Sequence, residues 1–318
     1  MGFSVTKNGA IVKLMLSRRT VLLAPLAAPL AQVLTAQSTA IPAGKMVLSI
    51  HQNTSRNAGF RGSLEGWAKA GVKYVELADT ALDEWLKTET LTTAKRLVGD
   101  LGLTPVSSAA VIGDVWIPGP ARAMGLETWK KRCEQFSTVG LTKIYCPSIT
   151  NRKVTADDFK ATPAAIREAG DIAKSFGLTS MIEFARTSTH LSTLASALTM
   201  IREANHPNVR PMLDCFHFWS GMSKFEDLDM LKPGELAHVH YQDILDTPRE
   251  LIDNNGRVIP GDGMAPIVKI LQKLKEKQYS GALSVELFLT RLTTGDPQAV
   301  GAEIKQKGEK VMQTAGVL

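Results

Sequence analysis

The strongest constraint on the fold is one alternation that repeats through residues 41–318, in which a short β-like run is followed by a turn and a stretch of helical period. The clearest helical stretches lie at 120–138, 161–176, 190–204 and 264–278. The β-like runs occupy 46–51, 72–77, 104–109, 141–146, 178–184, 209–214, 236–241 and 282–288. Eight strand–helix pairs in a segment of this length predict an α/β fold, a single-domain (β/α)8 TIM barrel.

An open, doubly wound sheet is the alternative fold for such an alternation. That fold is expected to carry a glycine-rich phosphate-binding turn directly after its first strand. Here the first run continues as IHQNTSRNAGF, which contains neither GxGxxG nor GxxxxGK[ST]. The barrel is therefore the favoured prediction.

The first forty residues have the composition of a targeting segment. The sequence SRRT at 17–20 carries a twin-arginine pair, and an apolar segment follows to about residue 34. Because that segment is short for a bilayer span, we predict a cleavable twin-arginine signal peptide over residues 1–40, cut after Ala36 or Ala40. The mature barrel, residues 41–318, would then be periplasmic or secreted, with no stable membrane insertion after cleavage. An uncleaved membrane anchor is the alternative.

Charge and cysteine content argue against two classes of function. Four of the positive charges behind the net charge of +6 lie in residues 1–40, which contain no acid, so the remainder is nearly neutral. A nearly neutral chain offers little to a phosphate backbone, and we expect no nucleic-acid partner. Cys133, Cys146 and Cys215 form no CxxC pair, so neither a zinc ribbon nor a disulfide framework is predicted.

Strand parity places ionisable side chains inside the predicted barrel, because successive strand residues point alternately to the interior and to the helix layer. The aliphatic members of each run suit the helix layer, which leaves a polar residue facing the axis near the C-terminal end of each strand. The first two strands contribute His51 and Glu76 in this way. The last four contribute Glu183, Asp214, His238 with His240, and Glu286.

Three carboxylates and an imidazole in a narrow apolar barrel repel one another and lose hydration, which would drive protons onto them or open the fold. A divalent cation removes that cost. An O,O,N,O donor set suits a hard ion, so we predict one divalent metal ion, with Mn²⁺ expected and Mg²⁺, Co²⁺ or Zn²⁺ as alternatives. The predicted ligands are Glu183, Asp214, His240 and Glu286. Any one acid could instead be satisfied by a neighbour, and Asp214 could cap a turn.

Three further residues, His51, Glu76 and Trp116, are predicted to line a ligand pocket. For His51 and Trp116 a purely structural role is the alternative. His51 and Glu76 face the barrel interior by parity; for His51 the alternative is an interior ring satisfied by Ser49 or a loop carbonyl. Trp116 follows the third strand and could stack on a bound ligand. A core tryptophan is the alternative there.

Several motifs carry a resemblance along nearly the whole mature chain. In order they are the strand-five Glu183, the Asp214-Cys-Phe-His217 motif, His238-Val-His240, PGDG at 260–263 and SVELF at 284–288. In this order and on these strands, the chain resembles the xylose isomerase-like barrel family of sugar isomerases and epimerases. The ketose 3-epimerase and inosose dehydratase branches are the most similar.

The resemblance implies roles for individual residues. The four predicted ligands would hold the metal, and His217 would hydrogen-bond a substrate oxygen. Glu183 and Glu286 would lie on opposite faces of the sugar and act as the catalytic pair that moves the proton. The ketose epimerases carry a further Glu where this chain has Thr189, and an Arg where it has Asp246. We therefore predict Arg257 as the displaced substrate-binding cation, with Arg249 as second candidate.

These observations predict an enzyme that removes a proton beside a carbonyl. The resulting enediolate needs charge stabilisation, which a divalent cation and paired acid–base groups provide. We expect a metal-dependent isomerase or epimerase for an unphosphorylated sugar or cyclitol, because sugar phosphates are cytoplasmic. A lyase or dehydratase on a keto-sugar or keto-glycoside is the alternative, and a non-catalytic, secreted sugar-binding barrel is a further one. An abasic-site endonuclease is disfavoured by charge. The expected partner is a small sugar-like molecule, and a homo-oligomer is a further prediction.

Overall fold

The computed structural model describes residues 41–318, so the predicted signal peptide of residues 1–40 lies outside the described residues. Eight parallel strands form one sheet, and a parallel bridge between Ala109 and Tyr145 joins its two edges into a barrel. A separate antiparallel ribbon consists of β8 and β9. The strands are β1 (Met46–His51), β2 (Tyr74–Leu77), β3 (Thr104–Ser108), β4 (Lys143–Pro147), β5 (Thr179–Glu183), β6 (Val209–Asp214), β7 (His238–His240), β8 (Asp243–Ile244), β9 (Arg257–Val258) and β10 (Gly281–Val285).

Helices cover the outside of the barrel and connect successive strands. Within residues 41–318, no helix combines the length and apolar character needed to cross a bilayer. The α-helices are α1 (Gly59–Lys69), α2 (Asp79–Trp85), α3 (Leu91–Asp100), α4 (Arg122–Val139), α5 (Ala156–Ser175), α6 (Leu194–Ala204), α7 (Cys215–Ser220), α8 (Ile267–Glu276), α9 (Thr290–Thr293) and α10 (Pro297–Ala315). The predicted (β/α)8 TIM barrel is confirmed.

All four predicted helical stretches begin at different residues in the structure, and for two of them, α5 and α6, a capping threonine sets the first residue. Helix α5 begins at Ala156 rather than at 161, since the Thr155 side chain accepts the Asp158 N–H. Helix α6 begins at Leu194 rather than at 190, since Thr193 caps it in the same way. His190 therefore lies in the preceding loop, where its ring Nε2 is 2.8 Å from the Thr162 hydroxyl.

The β8–β9 ribbon was not predicted. Asp243 holds it together, because its carboxylate accepts N–H groups from Ile244, Gly261 and Ala265 at 2.9, 3.1 and 2.9 Å. The ribbon continues from β7 beyond the C-terminal end of the barrel. Its second strand begins with Arg257, which is thereby carried over the barrel mouth.

The barrel interior contains both apolar and polar side chains. Tyr145, Met181 and Met212 form a small apolar cluster with Ala109, and the Tyr145 ring lies 5.1 Å from the ring of His240. Fully buried serines and ionisable groups are also present, namely Ser49, His51, Glu76, Ser107, His238, His240 and Ser284. A polar interior that opens toward the C-terminal strand ends is where TIM barrels build their functional sites.

Candidate active site

The structure brings the four predicted metal ligands together at the C-terminal ends of β5, β6, β7 and β10. His240 lies at the centre, and its Nδ1 is 3.1 Å from Glu183 Oε1, 3.3 Å from Asp214 Oδ2 and 3.6 Å from Glu286 Oε2. Strand register explains part of this convergence, because Asp214 is the direct partner of His240 between β6 and β7. All four side chains are buried, with exposed fractions of at most 5%.

Ligand atoms of Glu183, Asp214 and His240 all lie within 4.8 Å of one another, which fits a single divalent cation, and Glu286 lies at the edge of this group. Ligand atoms at about 2.0–2.2 Å from one ion lie about 3.0–3.5 Å from each other when their directions differ by roughly 90–110°. A proton on His240 Nδ1 could serve only one of the three facing oxygens, whereas a cation between them serves all. Glu183 Oε1 is buried without a hydrogen-bond partner among the described residues. The donor set and its unsatisfied oxygen therefore fit a divalent metal ion.

Asp214 uses its two oxygens for different tasks. Oδ1 accepts the N–H of His217 at 2.9 Å and so caps helix α7, and it also accepts from Gln242 Nε2 at 2.7 Å. Oδ2 faces His240. The two alternatives for Asp214, a turn cap and a site residue, are therefore both realised in one carboxylate.

Glu286 is held in a similar way by Asn53, whose Nδ2 donates to Oε1 at 3.0 Å. Sequence analysis missed both amide residues that orient the carboxylates, because an uncharged Asn or Gln gives no signal of its own. Each lies two positions after an inward-facing histidine, Asn53 after His51 and Gln242 after His240. Extending the strand parity by one step would have placed Gln242 at the site, whereas Asn53 lies in the 3-10 helix Gln52–Ala58, where strand parity does not apply.

Arg257, the predicted substrate-binding cation, reaches the site from the ribbon. Its Nη1 donates to Asp214 Oδ2 at 2.6 Å and to Glu286 Oε2 at 3.0 Å, and the side chain is 3% exposed. The guanidinium lies over the rings of Phe216 and Phe288, at 4.5 and 5.3 Å from their centroids. When Glu183, Asp214 and Glu286 are ionised, their three negative charges and the positive charge of Arg257 sum to −2. A divalent cation would neutralise this charge.

His217 is the second predicted substrate-binding residue at the site. Its Nε2 lies 3.2 Å from Arg257 Nη2, so this nitrogen accepts a hydrogen bond from the guanidinium. Burial lowers the pKa of His217 to about 4, which keeps the ring neutral as an acceptor requires. Thr189 and Asp246, which replace two charged residues of the ketose epimerases, are exposed. Arg249, the second candidate cation, donates instead to the Gly221 carbonyl at 3.2 Å.

The two predicted catalytic glutamates have pKa values displaced in opposite directions. Burial raises the pKa of Glu183 to about 7. Burial also disfavours ionisation of Glu286, but the charges of Arg257, His240 and His51 outweigh it and lower the pKa of Glu286 below its ordinary value. Two carboxyl groups whose pKa values differ in this direction can act as an acid–base pair, in which Glu183 donates a proton and Glu286 accepts one.

Two other predicted substrate-binding residues, Glu76 and His51, lie in the barrel interior and face other side chains. Glu76 is fully buried, and its Oε2 lies 3.0 Å from His238 Nε2 and 3.3 Å from His240 Nε2, so it faces imidazoles and not the open end. His51 Nδ1 accepts the Asn53 N–H at 3.0 Å, and its Nε2 lies 3.3 Å from the Tyr145 hydroxyl. His51 is thus an interior ring, held by groups other than the predicted Ser49 or a carbonyl.

Trp116 is the predicted site residue that the structure does not bring to the cluster. Its indole is 2% exposed, packs edge-on against Trp129 at 5.7 Å and donates to the Cys146 carbonyl at 3.0 Å. No ring face is open to a sugar. The stacking role is therefore corrected to the core role that the sequence left as the alternative.

A match to a family model identifies the family. Residues 64–307 match the model of the xylose isomerase-like TIM barrel. The chain belongs to this family. The resemblance drawn from the motifs is thereby confirmed for most of residues 41–318.

Curated relatives of this xylose isomerase-like barrel are isomerases and epimerases. Inosose isomerase of Halalkalibacterium halodurans is 27% identical over 248 residues, which are 76% of this chain and 88% of the relative. D-psicose 3-epimerase of Agrobacterium fabrum is 24% identical over 263 residues, which are 78% of this chain and 84% of the relative. The predicted enzyme class, isomerase or epimerase, is confirmed.

Solved structures share the fold at lower identity. A crystal structure of the IOLI protein with a bound zinc atom has a TM-score of 0.79 at 23% identity, and the match covers 85% of this chain and 99% of that chain. A structure of L-ribulose 3-epimerase has a TM-score of 0.69 at 18% identity, with 85% and 96% covered. These likenesses show that the barrel architecture is common to all three chains.

Proposed function

We propose that this protein is a divalent-metal-dependent isomerase or epimerase that removes and returns a proton beside the carbonyl of an unphosphorylated sugar or cyclitol. The observation that carries the proposal is the convergence of three buried carboxylates on His240 Nδ1 at 3.1, 3.3 and 3.6 Å. The names of the relatives support the substrate class, since inosose and psicose carry no phosphate.

The metal would be held by Glu183, Asp214, His240 and Glu286. When bound, it supplies positive charge that lowers the energy of an enediolate. The oxygen-rich donor set favours a hard ion, and we propose Mn²⁺ as the working metal. A zinc atom is bound in the related IOLI structure, so Zn²⁺ is the principal competitor.

The two glutamates would handle the proton. Glu183 ends β5 and Glu286 follows β10, and β6 and β7 lie between those strands, so the carboxylates flank the site from two sides. Glu286 is kept ionised by Arg257 and would take the proton from carbon. Glu183, with its pKa raised to about 7 by burial, can carry the proton that is returned.

Arg257 and His217 would bind and enclose the substrate. Every residue of the cluster is at most 9% exposed, so a sugar gains access only when the segment that carries Arg257 moves outward. Its return would exclude water and place the guanidinium beside the carbonyl oxygens of the substrate. Exclusion of water strengthens the electrostatic stabilisation of the developing charge.

The decisive experiment is proton exchange in deuterated water. The purified mature protein, loaded with Mn²⁺, is incubated with unphosphorylated ketoses, cyclitol ketones and 3-keto-glycosides, and deuterium uptake is followed by NMR. We expect exchange on at least one substrate and its loss in Glu286→Gln, with Glu84→Gln, an exposed carboxylate, as matched control. Elimination products would instead support the lyase alternative, and full exchange by Glu286→Gln would remove the assigned base.

The proposed setting of the reaction is the periplasm, reached through the twin-arginine signal predicted at residues 1–40. Cell fractionation followed by N-terminal sequencing tests this proposal. We expect the mature chain to begin near Ile41 in the periplasmic fraction. A cytoplasmic full-length chain would contradict it and reopen phosphorylated substrates.

A further inference from the structure

Glu76 lies inside the barrel next to His240, on the side opposite the metal-facing nitrogen. Its Oε2 is 3.3 Å from His240 Nε2, and both side chains are fully buried. It reaches this place from β2, whose Glu76 is the register partner of His51 in β1. The contact therefore joins strands from different parts of the barrel.

The two ring nitrogens of His240 face different partners. Nδ1 faces the three carboxylate oxygens of the ligand cluster, so a lone pair on Nδ1 is required for metal binding. The ring proton must then be on Nε2, where Glu76 Oε2 is the group that can accept it. An anionic acceptor fixes this tautomer and raises the basicity of the metal-facing nitrogen.

Glu76 is itself fixed by a second imidazole from the same strand. His238 Nε2 lies 3.0 Å from the same Oε2, and His238 is also fully buried. The other oxygen, Oε1, has no hydrogen-bond partner among the described residues. His238 Nε2 therefore holds the carboxylate by a hydrogen bond to Oε2, and His240 Nε2, which has no hydrogen-bond partner among the described residues, lies 3.3 Å from the same oxygen.

We propose that Glu76 is a positioning residue that fixes the tautomer and orientation of His240 and thereby strengthens binding of the divalent cation. The inference rests on the proposed metal-dependent function. It replaces the substrate-binding role that the sequence predicted for Glu76. His238 contributes indirectly, because its hydrogen bond to Glu76 holds the carboxylate next to His240.

The test compares cation affinity in Glu76→Gln and wild type. Loss of a carboxylate that supports a metal-ligating histidine weakens metal binding about 10–100-fold, and we expect that range for Mn²⁺ and Co²⁺ measured by calorimetric titration. The absorption spectrum of the Co²⁺-loaded variant should also shift. Ser284→Ala is the matched control, because Ser284 is a fully buried register partner of His240 whose hydroxyl has no hydrogen-bond partner within residues 41–318.

Three outcomes are distinguishable. Wild type that binds Mn²⁺ while Glu76→Gln binds it equally well, with an unchanged Co²⁺ spectrum, overturns this inference alone. Wild type that binds neither ion overturns the proposed function and the inference with it. If Glu76→Gln fails to fold, nitrogen-15 NMR of histidine-labelled wild type decides: the metal-loaded protein should show the His240 proton on Nε2, and a proton on Nδ1 would refute the inference.

Discussion

Replacement of Arg257 by methionine tests the charge balance of the site. Methionine keeps apolar contact with Phe216 and Phe288 but leaves Asp214 and Glu286 without the guanidinium that lies 2.6 and 3.0 Å away. Removing one partner from a buried ion pair costs about 3–5 kcal/mol, because the remaining charge stays buried and uncompensated. We expect Arg257→Met in EDTA to lose about that much free energy of unfolding.

A divalent cation should reverse part of this loss. The variant lacks the positive charge that competes for the carboxylate oxygens, so it should bind Mn²⁺ more tightly than wild type does. Each tenfold gain in affinity adds about 1.4 kcal/mol of stabilisation at a fixed, saturating Mn²⁺ concentration. Catalysis should nevertheless fall, because the substrate loses its enclosing cation.

Urea unfolding with EDTA and with Mn²⁺ measures both effects. Arg291→Met is the matched control, since Arg291 is 53% exposed and pairs with Glu303 at 2.9 Å on the surface. That change should cost less than about 1 kcal/mol and should not depend on metal. The reasoning is refuted if Arg257→Met in EDTA lies within about 1 kcal/mol of wild type, or if Mn²⁺ stabilises both proteins equally.

Three further changes test other parts of the account. Gln242→Leu removes one of the two donors to Asp214 Oδ1, and calorimetry should show Mn²⁺ binding weakened about tenfold; unchanged affinity would deny Gln242 a supporting role. Burial lowers the pKa of His190 to about 4 from an unfolded value near 6.5, so the unfolded chain binds the proton first and stability falls as pH drops from 6.5 toward 4. Between pH 7 and 5, urea midpoints should show wild type losing about 2 kcal/mol more than His190→Gln, and equal losses would contradict the shift. Trp116→Phe should reduce stability by about 1–2 kcal/mol with KM unchanged, whereas a tenfold rise in KM would restore a sugar-stacking role.

The barrel and the four ligands could be predicted because both follow from strand periodicity. The alternation of strand and helix defines the fold, and the parity of residues such as Glu183 and Asp214 defines which side chains face the axis. Positions at the C-terminal ends of parallel strands meet at one level, so four such residues were expected to converge. Their distances in the structure agree with that argument.

Contacts that join distant segments could not be predicted in the same way. The pairing of Glu76 with His238 depends on which inward residues meet across the barrel, and strand parity does not supply that register. Gln242 lies just beyond the end of β7, and Asn53 lies in the 3-10 helix that follows β1, where the alternation of a strand gives no direction. The sequence indicated that an aromatic residue, Trp116, follows β3. It did not indicate the orientation of the ring, which depends on packing against Trp129.

The ribbon shows the opposite case, in which a departure from the family pattern pointed to a residue that the structure brings to the carboxylates. Asp246 stands where the ketose epimerases have an arginine, and the sequence suggested Arg257 as the displaced cation. The structure brings Arg257 to the carboxylates through the β8–β9 pairing that Asp243 stabilises. That pairing involves two residues on each strand, which is too short to produce a recognisable period.

Metal stoichiometry tests the central claim most directly. Equilibrium dialysis of the metal-free mature protein against Mn²⁺, followed by elemental analysis, should give one ion per chain. Asp214→Ala and His240→Ala should each retain far less than one ion while remaining folded by circular dichroism. Wild type that takes up no divalent ion, or ligand variants that bind as well as wild type, would contradict the account.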